Sequence, residues 1–210
     1  MTNSESTTPP TPPLIYKRGS GGVPEIVQAI DRLPNQFLHK LIGIDGLGAS
    51  GKTTIAEEIK KAHPETSIIY LEEFFKKASE RTEGIVDGEI VSPDFDWDRF
   101  ENQVIKPVQK NLLVKYERFD WRADTWNDWL EVPAVNWIII VGVYALQSRF
   151  FQAYDYSIWM DVPQAERIKR MTEREGLAVS EMWQTKWLPR EEHYYEIERP
   201  DNRASVVLSE

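Results

Sequence analysis

Eight residues constrain this chain more than any others: Gly46 to Thr53, GLGASGKT. They follow a short apolar run, HKLIGID (His39 to Asp45), and open a helical pattern, GKTTIAEEIKKA (Gly51 to Ala62). A glycine-rich turn that joins a strand to a helix and fits G-x-x-x-x-G-K-[ST] is a phosphate loop, and each residue type in it has a physical reason. Gly46, Gly48 and Gly51 let the backbone curl until successive amide N–H groups face one concavity. The helix adds the positive end of its dipole. Lys52 brings a point charge to the β- and γ-phosphates, and the Thr53 hydroxyl is placed to ligate Mg²⁺. The expected nucleotide contacts are therefore Gly46, Gly48, Ala49, Ser50, Gly51, Lys52, Thr53 and Thr54. A plain glycine-rich turn is the rival reading; the flanking strand and helix decide against it. The chain has no Asn-Lys-x-Asp segment for reading guanine, so ATP is the expected triphosphate.

The remaining chain alternates helices and strands. Helical spacing predicts helices over Val23 to Leu33, Ser92 to Asn111 and Pro163 to Gly176, the last with proline at its start and glycine at its end. Strands are expected at Ser67 to Glu73, Asn136 to Tyr144, Tyr156 to Val162 and Ala204 to Ser209, with Leu113 to Trp121 extended. Lys76 to Val91 is polar and contains glycine, the composition of a loop. This alternation implies parallel pairing: an α/β, P-loop nucleoside-triphosphate-binding fold with a mostly parallel sheet and helices on both faces. The Ser-, Thr- and Pro-rich start, residues 1–13, reads as a disordered tail, and residues 14–210 as a single domain.

Composition narrows the partners. The net charge of -9 argues against a general nucleic-acid binder, which gains affinity by neutralising phosphates. The longest apolar run, WIIIVGVYAL, spans half a membrane and reads as a buried strand. The first residues lack the basic start and apolar centre of a secretory signal. There are no cysteines, which excludes disulfides and thiolate metal sites and fits a cytoplasmic protein. Homo-oligomer formation stays open at this level.

Beyond the loop, YLEEFF, DFDWDRF, YERFDW, VGVYAL and WMDVPQAERIKRMTERE occur in an order and spacing that resembles the uridine kinase-like branch of P-loop small-molecule kinases, a branch related to phosphoribulokinase and bacterial pantothenate kinase. The resemblance runs from about Leu41 to Val207. It implies ATP and Mg²⁺ as cofactors, a small-molecule hydroxyl acceptor and a small lid. The branch carries a D-x-F-Y-like carboxylate at the end of the second strand; Glu72 matches it, with a role toward the attacking hydroxyl and the metal. Arg167, Arg170 and Arg174, spaced i, i+3, i+7 on one helical face, match the lid that closes over ATP. Tyr116, Arg118 and Asp120 match the acceptor-contacting segment. Lys169 is expected at the surface, and His193 as a surface or hydrogen-bonded histidine. One departure stands out. Where the branch has the Glu of E-G-x-Y-A, which organises the metal and its waters, this chain has Val141.

Overall fold

The computed structural model describes residues 14–17, 22–34, 37–81, 92–133 and 136–210. The expected tail, residues 1–13, and most of the expected loop before Val91 lie outside the described residues.

Six strands form the main sheet in the order β1, β8, β7, β2, β6, β3. These are β1 (Leu14–Lys17), β2 (Lys40–Gly46), β3 (Thr66–Tyr70), β6 (Trp137–Val141), β7 (Tyr156–Asp161) and β8 (Val206–Ser209). Every pairing among them is parallel, so each connection crosses over, and most crossovers carry helix. The pair β4 (Lys115–Asp120) and β5 (Thr125–Glu131) stands apart as an antiparallel hairpin.

Side chains alternate across the sheet and sort into two cores. Ile42, Ile44, Trp137, Ile139 and Val141 pack with Ile26 and Ile30 of α1 (Gly22–Arg32) and with Ile55, Ala56 and Ile59 of α2 (Lys52–Ala62). Leu41, Ile138 and Ile140 face the other way. They meet Phe100, Val104, Ile105 and Val108 from α3 (Trp97–Phe100), a π-helical turn (Glu101–Ile105) and α4 (Lys106–Gln109). Phe150 of α5 (Ser148–Phe151) and Tyr194 of α8 (Leu188–Glu198) complete that layer. The segment that carries Arg167, Arg170 and Arg174 is α6 (Gln164–Glu175), followed by α7 (Leu177–Lys186). Among the described residues no helix is long and apolar enough to cross a membrane, and the WIIIV run is the buried strand β6.

Several boundaries differ from expectation, each for a local reason. The second strand stops at Tyr70, and its acids fall in a 3₁₀ turn, Leu71–Phe74. The helix expected from Ser92 starts at Trp97, because the Asp96 side chain accepts the Arg99 N–H and caps it there. The strand expected to reach Tyr144 ends at Val141. Tyr144 itself has a φ of +75°, incompatible with an extended strand.

Candidate nucleotide site

The loop sits at the carboxyl end of β2, between the ends of β6 and β7, where open parallel sheets bind ligands. Its curvature depends on unusual backbone angles: φ is +151° at Gly46, +61° at Ala49 and +91° at Gly51. A Cβ on residue 46 would lie 2.7 Å from Met160 Cβ and 2.8 Å from the Met160 carbonyl, so β7 leaves no room for a larger residue. The Ser50 N–H donates to the Leu47 carbonyl at 3.2 Å and tightens the turn. Thr53 and Thr54 lie in the first turn of α2 and are exposed.

Lys52 is buried. Its ammonium donates to the carbonyls of Gly46 at 2.7 Å and Leu47 at 3.1 Å, which folds the side chain back over the loop. Burial pushes its pKa down, while the carboxylates of Glu191, Asp45 and Glu72 support the charge. Three acids from three elements thus surround one lysine.

Those acids have different duties. Asp45 is fully buried, and four donors converge on it. Oδ1 accepts from Gly46 N at 2.6 Å and Tyr144 N at 3.1 Å; Oδ2 accepts from Leu146 N at 2.8 Å and the Tyr194 hydroxyl at 2.6 Å. Burial raises its pKa to about 6, and the hydrogen bonds from Tyr194, Leu146 and Gly46, with the charge of Lys52, oppose that rise. It pins the turn after β6 to the loop. Glu72, half-buried in the turn after β3, faces the same lysine; burial raises its pKa and Lys52 draws it back. Glu73 turns toward the hairpin and accepts the Tyr116 hydroxyl at 2.6 Å. Arg99 clamps this corner, donating to the carbonyls of Glu117 at 2.7 Å and Glu73 at 3.0 Å.

Glu191, on α8, was not anticipated from the sequence. Its Oε2 accepts the Gly48 N–H at 2.6 Å and its Oε1 accepts the Trp183 indole N–H at 3.0 Å. Burial raises its pKa; the two hydrogen bonds, Lys52 and Arg167 oppose that rise. The faint sequence signal was the i, i+3 pair Glu191 and Tyr194, which puts an acid and an aromatic on one helical face.

The three arginines of α6 separate. Arg167 is buried: its Nε donates to the Val162 carbonyl at 3.2 Å, its guanidinium lies 5.9 Å from the Trp183 ring centroid, and Nη1 is buried with no partner. Arg170 pairs with Glu166 at 3.0 Å and with Glu210. Arg174 is exposed and pairs with Glu175 at 2.8 Å. Lys169 is exposed, as expected, and His193 is half-buried.

In the hairpin, Arg118 is exposed, and the Asp120 Oδ1 accepts the N–H groups of Arg122 at 2.9 Å and Ala123 at 3.1 Å. That carboxylate closes the turn, and those two bonds hold its pKa below the ordinary value. Tyr116 and Phe74 stack with centroids 5.2 Å apart, beside the stacked pair Phe75 and Phe95 at 4.1 Å.

No family model matches the chain. A curated uridine kinase of Borrelia hermsii is 29% identical over 139 residues, covering 65% of this chain and 67% of its own. Among solved structures, one described as a possible uridine kinase from Bacillus stearothermophilus superposes with a TM-score of 0.67 at 19% identity, covering 89% of this chain and 96% of that one. A D-glycerate 3-kinase from Cryptococcus neoformans shares the fold with a TM-score of 0.57 at 10% identity, covering 89% and 92%. In its sequence relatives and the order of its motifs the chain matches the uridine kinase-like branch of P-loop small-molecule kinases, and its fold is that of P-loop kinases.

Proposed function

We propose that residues 14–210 form an ATP-dependent kinase that transfers the γ-phosphoryl group to a hydroxyl of a small metabolite, a nucleoside being one candidate acceptor. The observation that carries this reading is the buried Lys52 inside a loop whose backbone takes positive φ at Gly46, Ala49 and Gly51, with the carboxylate of Glu72, at the next strand end, supporting its charge. The loop amides and Lys52 hold the phosphates. The acceptor oxygen attacks γ-phosphorus in line, the bridging oxygen leaves with ADP, and the hydroxyl proton passes to Glu72. Little covalent chemistry is required, so positioning and electrostatics carry the rate.

The oxygen-only donors fit Mg²⁺: Thr53 and Glu72 would hold it, Glu72 through bound water. When bound, the cation neutralises charge on the phosphate oxygens. The acceptor would lie between Glu72 and the hairpin, against Tyr116 and Arg118. Asp120 would reach it through Oδ2, since the turn uses Oδ1.

Among the lid arginines, Arg167 is the one already in the site. Arg170 and Arg174 would have to exchange Glu166, Glu210 and Glu175 for phosphate on closure. Arg167→Ala is therefore expected to lower kcat about 100-fold, in the range for one donor to a developing charge. Arg170→Ala should lower it less. Steady-state kinetics on both variants is the test; equal effects would remove Arg167 from this special place.

A second reading is a nucleotide-binding protein with little transfer activity. It rests on Val141, which is buried among Ile44, Ile55 and Ala56 and offers no oxygen where the branch has its Glu. Turnover of ATP in the presence of acceptors separates the two readings.

A further inference from the structure

A carboxyl group of the chain itself lies against the loop. Glu191 reaches in from α8, only 6% exposed, and takes the Gly48 N–H at 2.6 Å. Gly48 is the third residue of the eight-residue motif, so its amide belongs to the run whose N–H groups the phosphate reading gives to nucleotide. Glycine at 48 makes this approach available. A Cβ there would lie 2.9 Å from the Trp183 ring and 3.0 Å from Glu191 Oε1. Trp183, on α7, holds the second carboxylate oxygen.

Lys52 and Arg167 stand as the neighbouring cations, with Asp45 and Glu72 as further acids around Lys52. Donor capacity remains unused beside them: Ser50 Oγ and Arg167 Nη1 are buried with no partner. Spare donors beside an internal carboxylate give the loop the means to hold a stronger anion. That anion and the carboxylate would compete for one amide and repel each other at short range.

We propose that Glu191 is a positioning residue that occupies the phosphate cradle in the free protein, sets how strongly the loop takes a polyphosphate, and leaves as one binds. The inference rests on the phosphate-loop reading above. Its departure would free the Trp183 indole and so report loop occupancy to α7 and, through Arg167, to α6. A fixed buttress would have the same contacts but the opposite consequence: removing it would loosen the loop and weaken binding.

The sign of the effect is therefore the test. Inorganic tripolyphosphate, which needs no acceptor, is titrated calorimetrically into the wild type, Glu191→Gln, Trp183→Phe and Lys52→Ala. Glu191→Gln removes the charge at nearly constant shape and is expected to bind about tenfold tighter or more, the scale of relieving a close like-charge contact. Trp183→Phe keeps the charge but removes one of the carboxylate's two hydrogen bonds, so it should bind severalfold tighter. The wild type should show a tryptophan emission change on saturation that Trp183→Phe lacks. Unchanged or weaker binding in Glu191→Gln, with binding lost in Lys52→Ala, overturns the proposal and leaves the phosphate loop standing. If neither the wild type nor Glu191→Gln binds, both readings fall. Should Glu191→Gln fail to fold, the direction of the Trp183→Phe change decides alone.

Discussion

Lys52→Ala is expected to weaken ATP binding about 30- to 5000-fold and to abolish phosphoryl transfer. The range converts about 2–5 kcal/mol for truncating one member of a buried charge pair. The geometry explains the size. The ammonium is the cation that Glu191, Asp45 and Glu72 all support, and it is already desolvated within the loop, held by the Gly46 and Leu47 carbonyls. A bound phosphate would exchange with those carbonyls rather than with bulk water, so little reorganisation stands against binding. Calorimetry with ATP and Mg²⁺ on both proteins checks this. Equal affinity and equal turnover in the variant would remove the phosphate-loop assignment.

The largest effect on stability is expected at Asp45. Asp45→Ala leaves the Tyr194 hydroxyl and the N–H groups of Gly46, Tyr144 and Leu146 without their buried acceptor. An unsatisfied buried donor costs roughly 1–3 kcal/mol, and neighbouring losses do not simply add. We expect a loss of at least about 3 kcal/mol, a large share of the stability of an ordinary domain. Tyr144 sharpens the effect. Its φ of +75° is strained for a bulky residue and is held there by Asp45 on one side and by Phe95 and Tyr194 on the other. Denaturant unfolding would show the loss as a lower midpoint at unchanged slope. The pH dependence has a definite sign. The folded pKa of about 6 lies above the ordinary 3.8, so the folded state binds the proton more tightly. The contribution of Asp45 to stability is therefore greatest below about pH 4 and declines as pH rises through 6, a slope the variant lacks. A change below about 1 kcal/mol would mean that water or other groups satisfy the four donors.

How far the sequence could be read depends on the kind of interaction. The parallel sheet was legible because β6 is a continuous apolar run and β2 and β7 are mostly apolar, the mark of strands buried on both faces. The loop was legible because its glycines, lysine and threonine meet a local demand. The short strand β1 was not, since four residues with Leu14 and Ile15 exposed leave no periodicity to detect. Nor was the fate of the three arginines of α6. Spacing put Arg167, Arg170 and Arg174 on one face, but only the partners supplied by other elements, Trp183 for the first and Glu210 for the second, separate them. Asp120 shows the same limit: its motif suggested a ligand contact, while its nearest duties are to two backbone amides of its own turn. Glu191 was the least visible. It lies 143 residues from Gly48, in a helix of mixed polarity, and its role exists only where the chain brings the two together.

Acceptor-dependent transfer decides whether this chain is a kinase. The direct measurement is ADP formation from ATP and Mg²⁺, with and without a panel of nucleosides, sugars and sugar acids, for the wild type and Lys52→Ala. The account predicts that at least one acceptor raises ADP formation by the wild type well above the acceptor-free rate, with a phosphorylated acceptor in equal amount, and that Lys52→Ala forms neither. ATP binding by the wild type with no acceptor-dependent ADP across the panel would contradict it, and would turn the chain into a nucleotide-binding protein in which Val141 marks the loss of transfer.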